Sequence, residues 1–243
     1  MAAPRPSSYE ASMSDAAPDP LEDAAQRGRE PARGRPKDAA TLILVRRDGA
    51  EPRLLMGRRA AGHAFMPAKW VFPGGRVDRA DYRARTASEL PPEVSELVGR
   101  TAPAGRAIAL PRALAVAAVR ETWEEAGLVL GSVQDGRLLP HLAPLRMAAH
   151  AVTPPGRVRR FNARFFTADA AALASLDRTP GSGELEEIAW FTVPEALALD
   201  LPSITRFVVL EIAARETDPA RPVPSVRMTR GVKTVAPLAQ GSD

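Results

Sequence analysis

Three glutamates are spaced so that one face of a helix would carry all of them. Within residues 110–128, Glu121, Glu124 and Glu125 fall in a stripe about 100° wide on a helix of 3.6 residues per turn. Carboxylates this close repel one another, which destabilises a helix unless a cation binds there. Hard divalent cations such as Mg²⁺ prefer carboxylate oxygens. The spacing therefore predicts a divalent-cation site; the alternative is a solvated acidic face, which is common on helices.

The remainder of this stretch has the pattern of a helix with one buried side. Val116, Val119 and Trp123 lie opposite the glutamates at core-facing spacing. Pro111 suits the first turn of a helix. Gly127 stands where a left-handed C-terminal cap is expected.

A glycine pair lies well upstream of this helix. The apolar run Trp70 to Phe72 ends in Pro73-Gly74-Gly75, which indicates a strand that stops in a loop. Glycine has no side chain, so the backbone of such a loop can approach a ligand closely.

Together the two stretches resemble the Nudix box, whose pattern is G-x5-E-x7-R-E-U-x-E-E-x-G-U with U aliphatic. Gly75 takes the first glycine, and the second half is filled by Arg120, Glu121, Glu124, Glu125, Gly127 and Leu128. Asp81 stands at the first glutamate, Thr122 stands in an aliphatic slot, and the spacer runs from 82 to 119 instead of seven residues. A split box preceded by this glycine pair is similar to the peroxisomal coenzyme A diphosphatase-like branch of the family.

The resemblance implies an enzyme that binds Mg²⁺ or Mn²⁺ and hydrolyses a diphosphate linkage. It implies Glu121, Glu124 and Glu125 as metal ligands and catalytic groups, with the Gly75 carbonyl as a further ligand and Arg120 as a catalytic support residue. One of these glutamates, or a late one such as Glu187, would take the proton of the attacking water. Asp81 is one methylene shorter than glutamate, and Asp78 competes with it for the same slot. The alternative role for Arg120 is simple pairing with Glu124 at i+4.

Candidate substrate contacts lie on either side of the glycine pair. Arg58 and Arg59 belong to the basic, glycine-punctuated segment 57–63, which suits a phosphate and is otherwise a surface loop. Gly74 would let the backbone reach the substrate. Trp70 would stack on a base, and its alternative role is in the core.

The predicted partner is a small nucleoside diphosphate linked to another group. Coenzyme A esters, nucleotide sugars, dinucleoside polyphosphates and NADH all fit the box. The rival function is a non-catalytic nucleotide-sensing module on the same fold. A homodimer is compatible with the sequence, which does not specify the oligomeric state.

Composition excludes several other classes of site. The 243 residues contain no cysteine, so disulfides and thiolate metal sites are excluded. The histidines, His63, His141 and His150, are scattered without metal-ligand spacing. A net charge of +4 suits an anionic substrate without indicating nucleic-acid binding. We find no apolar run of membrane-spanning length and no secretory h-region, so a cytoplasmic protein is expected.

The order of the elements predicts one α+β domain, a Nudix-type α/β/α sandwich around a mixed sheet. The predicted boundaries are a disordered tail at 1–38, the domain at 39–214 and an extended tail at 215–243. Within the domain, the insertion 82–109 is expected to contain one short helix after its prolines, and to act as a lid or a plain surface excursion. Short strands are expected at 41–45, 53–56, 128–130, 145–153, 161–166 and 184–191, and late helices from Pro194 and at 202–214.

Overall fold

The computed structural model describes residues 34–62, 66–103, 105–229 and 232–238. Most of the predicted N-terminal tail, His63 and the last five residues lie outside these ranges. The strands are β1 Lys37–Arg46, β2 Arg53–Arg59, β3 Trp70–Val71, β4 Gly74–Arg76, β5 Gly131–Gln134, β6 Arg137–Pro140, β7 Arg146–Val152, β8 Phe161–Asp169, β9 Leu185–Thr192, β10 Pro224–Thr229 and β11 Val232–Pro237. The helices are α1 Pro92–Gly99, α2 Ala109–Ala126, α3 Val193–Ala198 and α4 Ser203–Thr217. We call α2 the box helix.

A nine-stranded mixed sheet is the centre of the fold. Its order is β11-β10-β7-β8-β1-β2-β3, with β4 paired to β1 and β9 paired to β2. β1 runs parallel to β8 along its length, whereas β4 pairs antiparallel with its first half and β2 with its end. Because β4 and β2 pair with different parts of the same side of β1, the sheet splits between these two strands. β4, which contains the glycine pair, then runs across the box helix.

The two faces of the sheet are covered by different helices, as predicted for an α/β/α sandwich. Along β1, Ala40, Leu42 and Leu44 pack with α1 and the box helix, and Ile43 and Val45 pack with α4. This alternation follows from the two-residue side-chain period of a strand. The predicted α+β fold class is confirmed. Among the described helices, none combines the length and hydropathy needed to cross a bilayer.

The box helix ends as expected but buries a different side chain. Gly127 has φ +69° and donates its N–H to the Trp123 carbonyl at 2.9 Å, which closes the helix in the left-handed conformation. Trp123, expected in the core, is only half-buried, while Thr122 is fully buried and donates its hydroxyl to the Ala118 carbonyl. That bond satisfies the hydroxyl locally, so threonine is tolerated in an aliphatic slot.

The insertion is part of the core. Its predicted helix is α1, and Leu90, Val94 and Val98 join the cluster that packs on the box helix. Arg112 of the box helix donates to Glu89 at 2.8 Å and to the Ala84 carbonyl at 2.9 Å, which fixes the segment before α1. The expectation of a surface excursion is therefore wrong for this stretch.

Three further local predictions differ from the structure. Residues 57–59, expected to open a basic loop, continue β2 by pairing with β3 and β9. Residues 128–130 form no strand, and the next one begins at Gly131. The segment expected to be an extended tail contains β10 and β11, because β7 offers an open edge on which Ser225 and Val226 pair in parallel with His150 and Ala151.

A buried polar network ties this hairpin to the rest of the sheet. Ser225 lies 2.9 Å from His150 Nδ1, and His150 Nε2 lies 2.7 Å from Asn162 Oδ1. Asn162 Nδ2 donates to Asp38, so the amide oxygen of Asn162 must be the atom that faces His150. This oxygen accepts, and the proton of the neutral imidazole is therefore on Nε2. Asp38 also accepts from Arg164, which is fully buried, at 2.6 Å. The network therefore holds His150 neutral in the fold.

The first prediction concerns acid stability. Burial lowers the pKa of His150 to about 4, with the nearby Arg164 charge adding to the effect and the Asn162 hydrogen bond opposing it. The unfolded value is about 6.5, so the stability that neutral His150 provides is complete above about pH 6.5 and is lost as the pH falls towards 4. We expect the free energy of unfolding of the wild type to fall by about 3 kcal/mol more than that of His150→Gln over this window. Urea unfolding at pH 7, 5.5 and 4 measures it; parallel pH profiles of the two proteins would contradict the assignment.

Candidate active site

The box helix and the glycine pair meet in direct contact. Gly74 donates its N–H to Glu125 Oε2 at 2.9 Å. A Cβ added to Gly75 would lie 2.3 Å from Glu121 Oε1, closer than any side chain tolerates. Glycine at this position lets Glu121 keep its carboxylate against β4, and a side chain would displace that carboxylate. Both carboxylates are therefore held against the backbone of β4.

Arg120 is the main support of this acidic face. Its guanidinium donates to Asp81 through Nε at 2.9 Å and Nη2 at 3.1 Å, and Asp81 is 1% exposed. Asp81 also accepts from the Asp78 backbone N–H at 2.7 Å. The remaining nitrogen, Nη1, donates to Glu121 at 2.9 Å and to Glu124 at 3.0 Å. Arg120 thus does both things considered for it: it orients Glu121 and pairs with Glu124 at i+4.

Asp81 occupies the first-glutamate slot as a structural anchor. Burial alone would lower the pKa of Arg120, but the Asp81 hydrogen bond and the charges of Glu121, Asp81 and Glu124 raise it. The Asp78 side chain is exposed, and it is its backbone that contacts Asp81. The shorter side chain of aspartate is sufficient here because Arg120 reaches across from the helix.

The box glutamates divide into two groups. Glu121 and Glu125 border a cavity, whereas Glu124 is exposed, with 43% of its side chain accessible, and is held by Arg120. Burial raises the pKa of Glu125 to about 8; the Gly74 N–H and Arg59 oppose this, and the charges of Glu121 and Glu184 add to it. Burial raises the pKa of Glu121 as well, against the pull of Arg120. For both carboxylates, the neighbouring donors offset only part of the rise in pKa that burial causes.

Glu184, which the sequence interpretation did not single out, is the third acidic residue at the cavity. It stands just before β9, and its charge acts on both Glu121 and Glu125. Glu187, the late glutamate expected in this role, instead pairs with Arg58. The only sequence signal for Glu184 was its place after a glycine-rich loop, which is too common to select it.

The acidic residues suit a hard cation by the chemistry of their oxygens. The pKa values of Glu121 and Glu125 are raised, so a divalent cation would stabilise these two carboxylates in the charged form. In the described part of the chain, however, no three acidic, histidine or cysteine side chains are arranged so that they could hold an ion as they stand. Cation binding would therefore require the carboxylates to rearrange.

The cavity has a volume of about 380 Å³ and carries both charges. This size is within the range of small-molecule sites. Four arginines also line the cavity, together with several apolar residues. The arginines are Arg59, Arg76, Arg157 and Arg159, and the apolar residues include Phe72, Pro154, Phe161, Phe165 and Ile204. Guanidinium groups bind phosphate oxygens well, so the cavity can hold a phosphorylated ligand beside the carboxylates.

The residues expected to contact substrate are not all at this cavity. Gly74 and Arg59 border it, and burial lowers the pKa of Arg59 while Glu125 and Glu184 raise it. Arg58 points to Glu187, and Trp70 packs edge-on against Phe191 with ring centroids 5.0 Å apart. Trp70 is partly buried and packs against the core, and its stacking on a base stays a prediction. No described residue of the insertion 82–109 borders the cavity, so the expectation of a lid receives no support from its position.

The second prediction separates Asp81 from Asp78. Asp81→Asn keeps the shape of the side chain but removes the charge that faces Arg120 in a buried position, so we expect the free energy of unfolding to fall by about 3 kcal/mol. Asp78→Asn, on an exposed side chain, should change it by less than about 0.5 kcal/mol. Urea unfolding at pH 7 compares the two, and an equal effect of both substitutions would contradict the anchor role of Asp81.

Comparison with solved structures shows which proteins this chain is similar to. No protein-family model matches the chain. A Nudix hydrolase from Alicyclobacillus acidocaldarius is similar in structure, with 26% identity, a TM-score of 0.57 and coverage of 75% of this chain and 93% of that one. The Nudix domain of Shewanella oneidensis NrtR, solved with ADP-ribose, is 12% identical at a TM-score of 0.47, covering 75% and 90%. A MutT Nudix hydrolase from Burkholderia pseudomallei is 19% identical at a TM-score of 0.45, covering 74% and 99%. The chain has the fold of the first of these and gathers its box residues at one cavity, so it is similar to solved Nudix hydrolases in both fold and box residues.

Proposed function

We propose that this protein is a metal-dependent pyrophosphohydrolase that cleaves the diphosphate linkage between a nucleoside and another group. The observation that carries the proposal is the meeting of Glu121, Glu125 and Glu184 at a cavity that is also lined by arginines. Phosphate oxygens would face the arginines, and the acidic residues would hold the cation that the linkage needs. One cavity would thus bind both the phosphates of the substrate and the cation.

The residues that would hold Mg²⁺ or Mn²⁺ are Glu121, Glu125 and the Gly75 carbonyl, with Glu124 at the rim. The nearby charge of Glu184 acts on Glu121 and Glu125 and would strengthen cation binding there. When bound, such an ion lowers the pKa of water and neutralises charge on the bridging oxygens. Arg120 keeps Glu121 turned towards β4, and the Gly74 N–H keeps one oxygen of Glu125 fixed. Both carboxylates are therefore oriented before a substrate arrives, which reduces the reorganisation that the reaction requires.

Glu184 is the best placed group to take the proton of an attacking water. It borders the cavity yet remains exposed, so a proton accepted there can pass on to solvent. Glu125 is less suited to this role because it is 4% exposed and one of its oxygens accepts from Gly74. Glu184 accordingly replaces Glu187 in the role that the family resemblance suggested.

The lining of the cavity supports a chemical class of substrate. The arginines fit the phosphates, and the apolar residues Phe161, Phe165 and Pro154 fit an uncharged part of the ligand. Coenzyme A, ADP-ribose, NADH and diadenosine polyphosphates all combine a diphosphate with such a part. Each therefore belongs in a test panel.

The third prediction tests the reaction. Glu125→Gln removes a carboxylate that would bind the cation, with little change of shape, so we expect Mg²⁺-dependent turnover of the best panel substrate to fall at least about 100-fold in kcat. Phosphate-containing products, separated by ion-exchange chromatography, measure the rate. Glu93→Gln, an exposed glutamate on α1, is the matched control and should retain wild-type turnover.

Two outcomes would contradict the proposal. Full activity in Glu125→Gln would place the chemistry elsewhere. A wild type that binds panel nucleotides without cleaving any of them would favour the non-catalytic sensing module.

A further inference from the structure

The carboxyl end of the box helix is covered by the β8–β9 loop, residues 173–184. The last carbonyls of a helix lack partners within the helix and usually face water. Here three of them accept bonds from this one loop. The bonds run from Arg178 Nε to the Ala126 carbonyl (2.9 Å), from Ser182 N to the Glu124 carbonyl (2.6 Å) and from Thr179 N to the Gly127 carbonyl (3.0 Å).

The loop and the helix touch backbone to backbone. A Cβ on Gly181 would lie 2.4 Å from the Glu125 carbonyl oxygen. A Cβ on Gly127 would lie 1.8 Å from the Thr179 carbonyl oxygen. Neither clash is with a flexible side-chain end, so neither can be relieved without moving the loop off the helix.

The far end of the loop is fixed to the sheet. Arg178 Nη1 donates to the Ile188 carbonyl at 3.3 Å, so one guanidinium joins the helix end to β9. The Glu184 carbonyl accepts from the Ala60 N–H at 3.1 Å, beside the end of β2. Glu184 follows Gly181 by three residues, and its position relative to the box glutamates depends on this docking.

We propose that Arg178 is a positioning residue, which with Gly181 docks the β8–β9 loop on the box helix and thereby sets Glu184 against Glu121 and Glu125. The inference rests on the proposed function, since it concerns the same acidic site. It assigns a purpose to an exposed arginine that lies outside both the box and the cavity.

The test uses the full-length protein and Mn²⁺ alone as the probe. The dissociation constant of Mn²⁺ is measured from the electron paramagnetic resonance signal of the free ion, which requires no substrate. Arg178→Ala, Gly181→Ala and Glu184→Gln are each compared with wild type, and each substitution at 178 and 181 is also made in the Glu184→Gln background. Thermal unfolding identifies any variant that has lost its fold.

If the loop acts through Glu184, the losses of Mn²⁺ affinity in the single variants will not add up in the double variants. We expect Arg178→Ala and Gly181→Ala to weaken Mn²⁺ binding about tenfold in the wild-type background, as loss of supporting contacts around a metal site does. In the Glu184→Gln background the carboxylate that the loop positions is already gone. There the same substitutions should change the dissociation constant of Mn²⁺ less than about twofold. Arg178→Lys, which can reach only one of the two carbonyls, should fall between wild type and Arg178→Ala.

Matched controls carry the same chemical changes elsewhere. Arg146 also donates to two backbone carbonyls, at 2.9 and 2.8 Å, and Arg146→Ala should leave Mn²⁺ binding unchanged. Gly49→Ala places a Cβ in open space, with its nearest neighbour at 4.0 Å, and should also be silent.

Equal losses in both backgrounds, or no loss in a folded Arg178→Ala or Gly181→Ala variant, would overturn the positioning role while leaving the proposed function standing. A wild type that binds no Mn²⁺ would overturn both.

Discussion

The site depends on how closely two backbones can approach an acidic helix. Gly74 donates its N–H to Glu125, Gly75 lies against the Glu121 carboxylate, and Gly181 lies against the backbone at the helix end. A side chain on Gly181 would push the loop off the helix, and one on Gly75 would displace the Glu121 carboxylate. With the elements in contact, Glu125 becomes 4% exposed, and the cost of burying its charge is what raises its pKa.

The fold offsets part of this cost and leaves part of it in place. The guanidinium of Arg120 pairs with three carboxylates, and its two hydrogen bonds to Asp81 fix the orientation of the guanidinium. Among the described residues, Glu125 is stabilised by the Gly74 N–H and by the more distant charge of Arg59. A better-neutralised site would stabilise the protein more but would have less to gain from a cation, and such a conflict between stability and activity is common at functional sites.

Sequence patterns predicted the elements whose signals are local. The box helix, its glycine cap, the helix of the insertion and the alternation along β1 follow from periodicity and turn chemistry, and the family resemblance supplied the sandwich. Glu184 could not be selected because its importance arises from a docking between residues that lie far apart in the chain. Trp123 was misplaced because a buried threonine can satisfy its hydroxyl within the helix, which hydrophobic spacing alone does not reveal. The β10–β11 hairpin was missed because its strand pairing depends on the free edge of β7, not on its own polar, proline-rich composition.

The long insertion has a consequence for how the protein reaches its native state. It separates Asp81 from its partner Arg120 by 39 positions, and Gly74 from Glu125 by 51. Contacts between such distant positions form only after the entropy of closing the intervening chain has been overcome, which slows folding and favours local structure first. The box helix can therefore form early by itself, but its glutamates acquire their neighbours only when the sheet, the insertion and the β8–β9 loop have assembled. A partly folded chain would present the acidic helix without the cavity, so hydrolytic competence and completed folding arrive together.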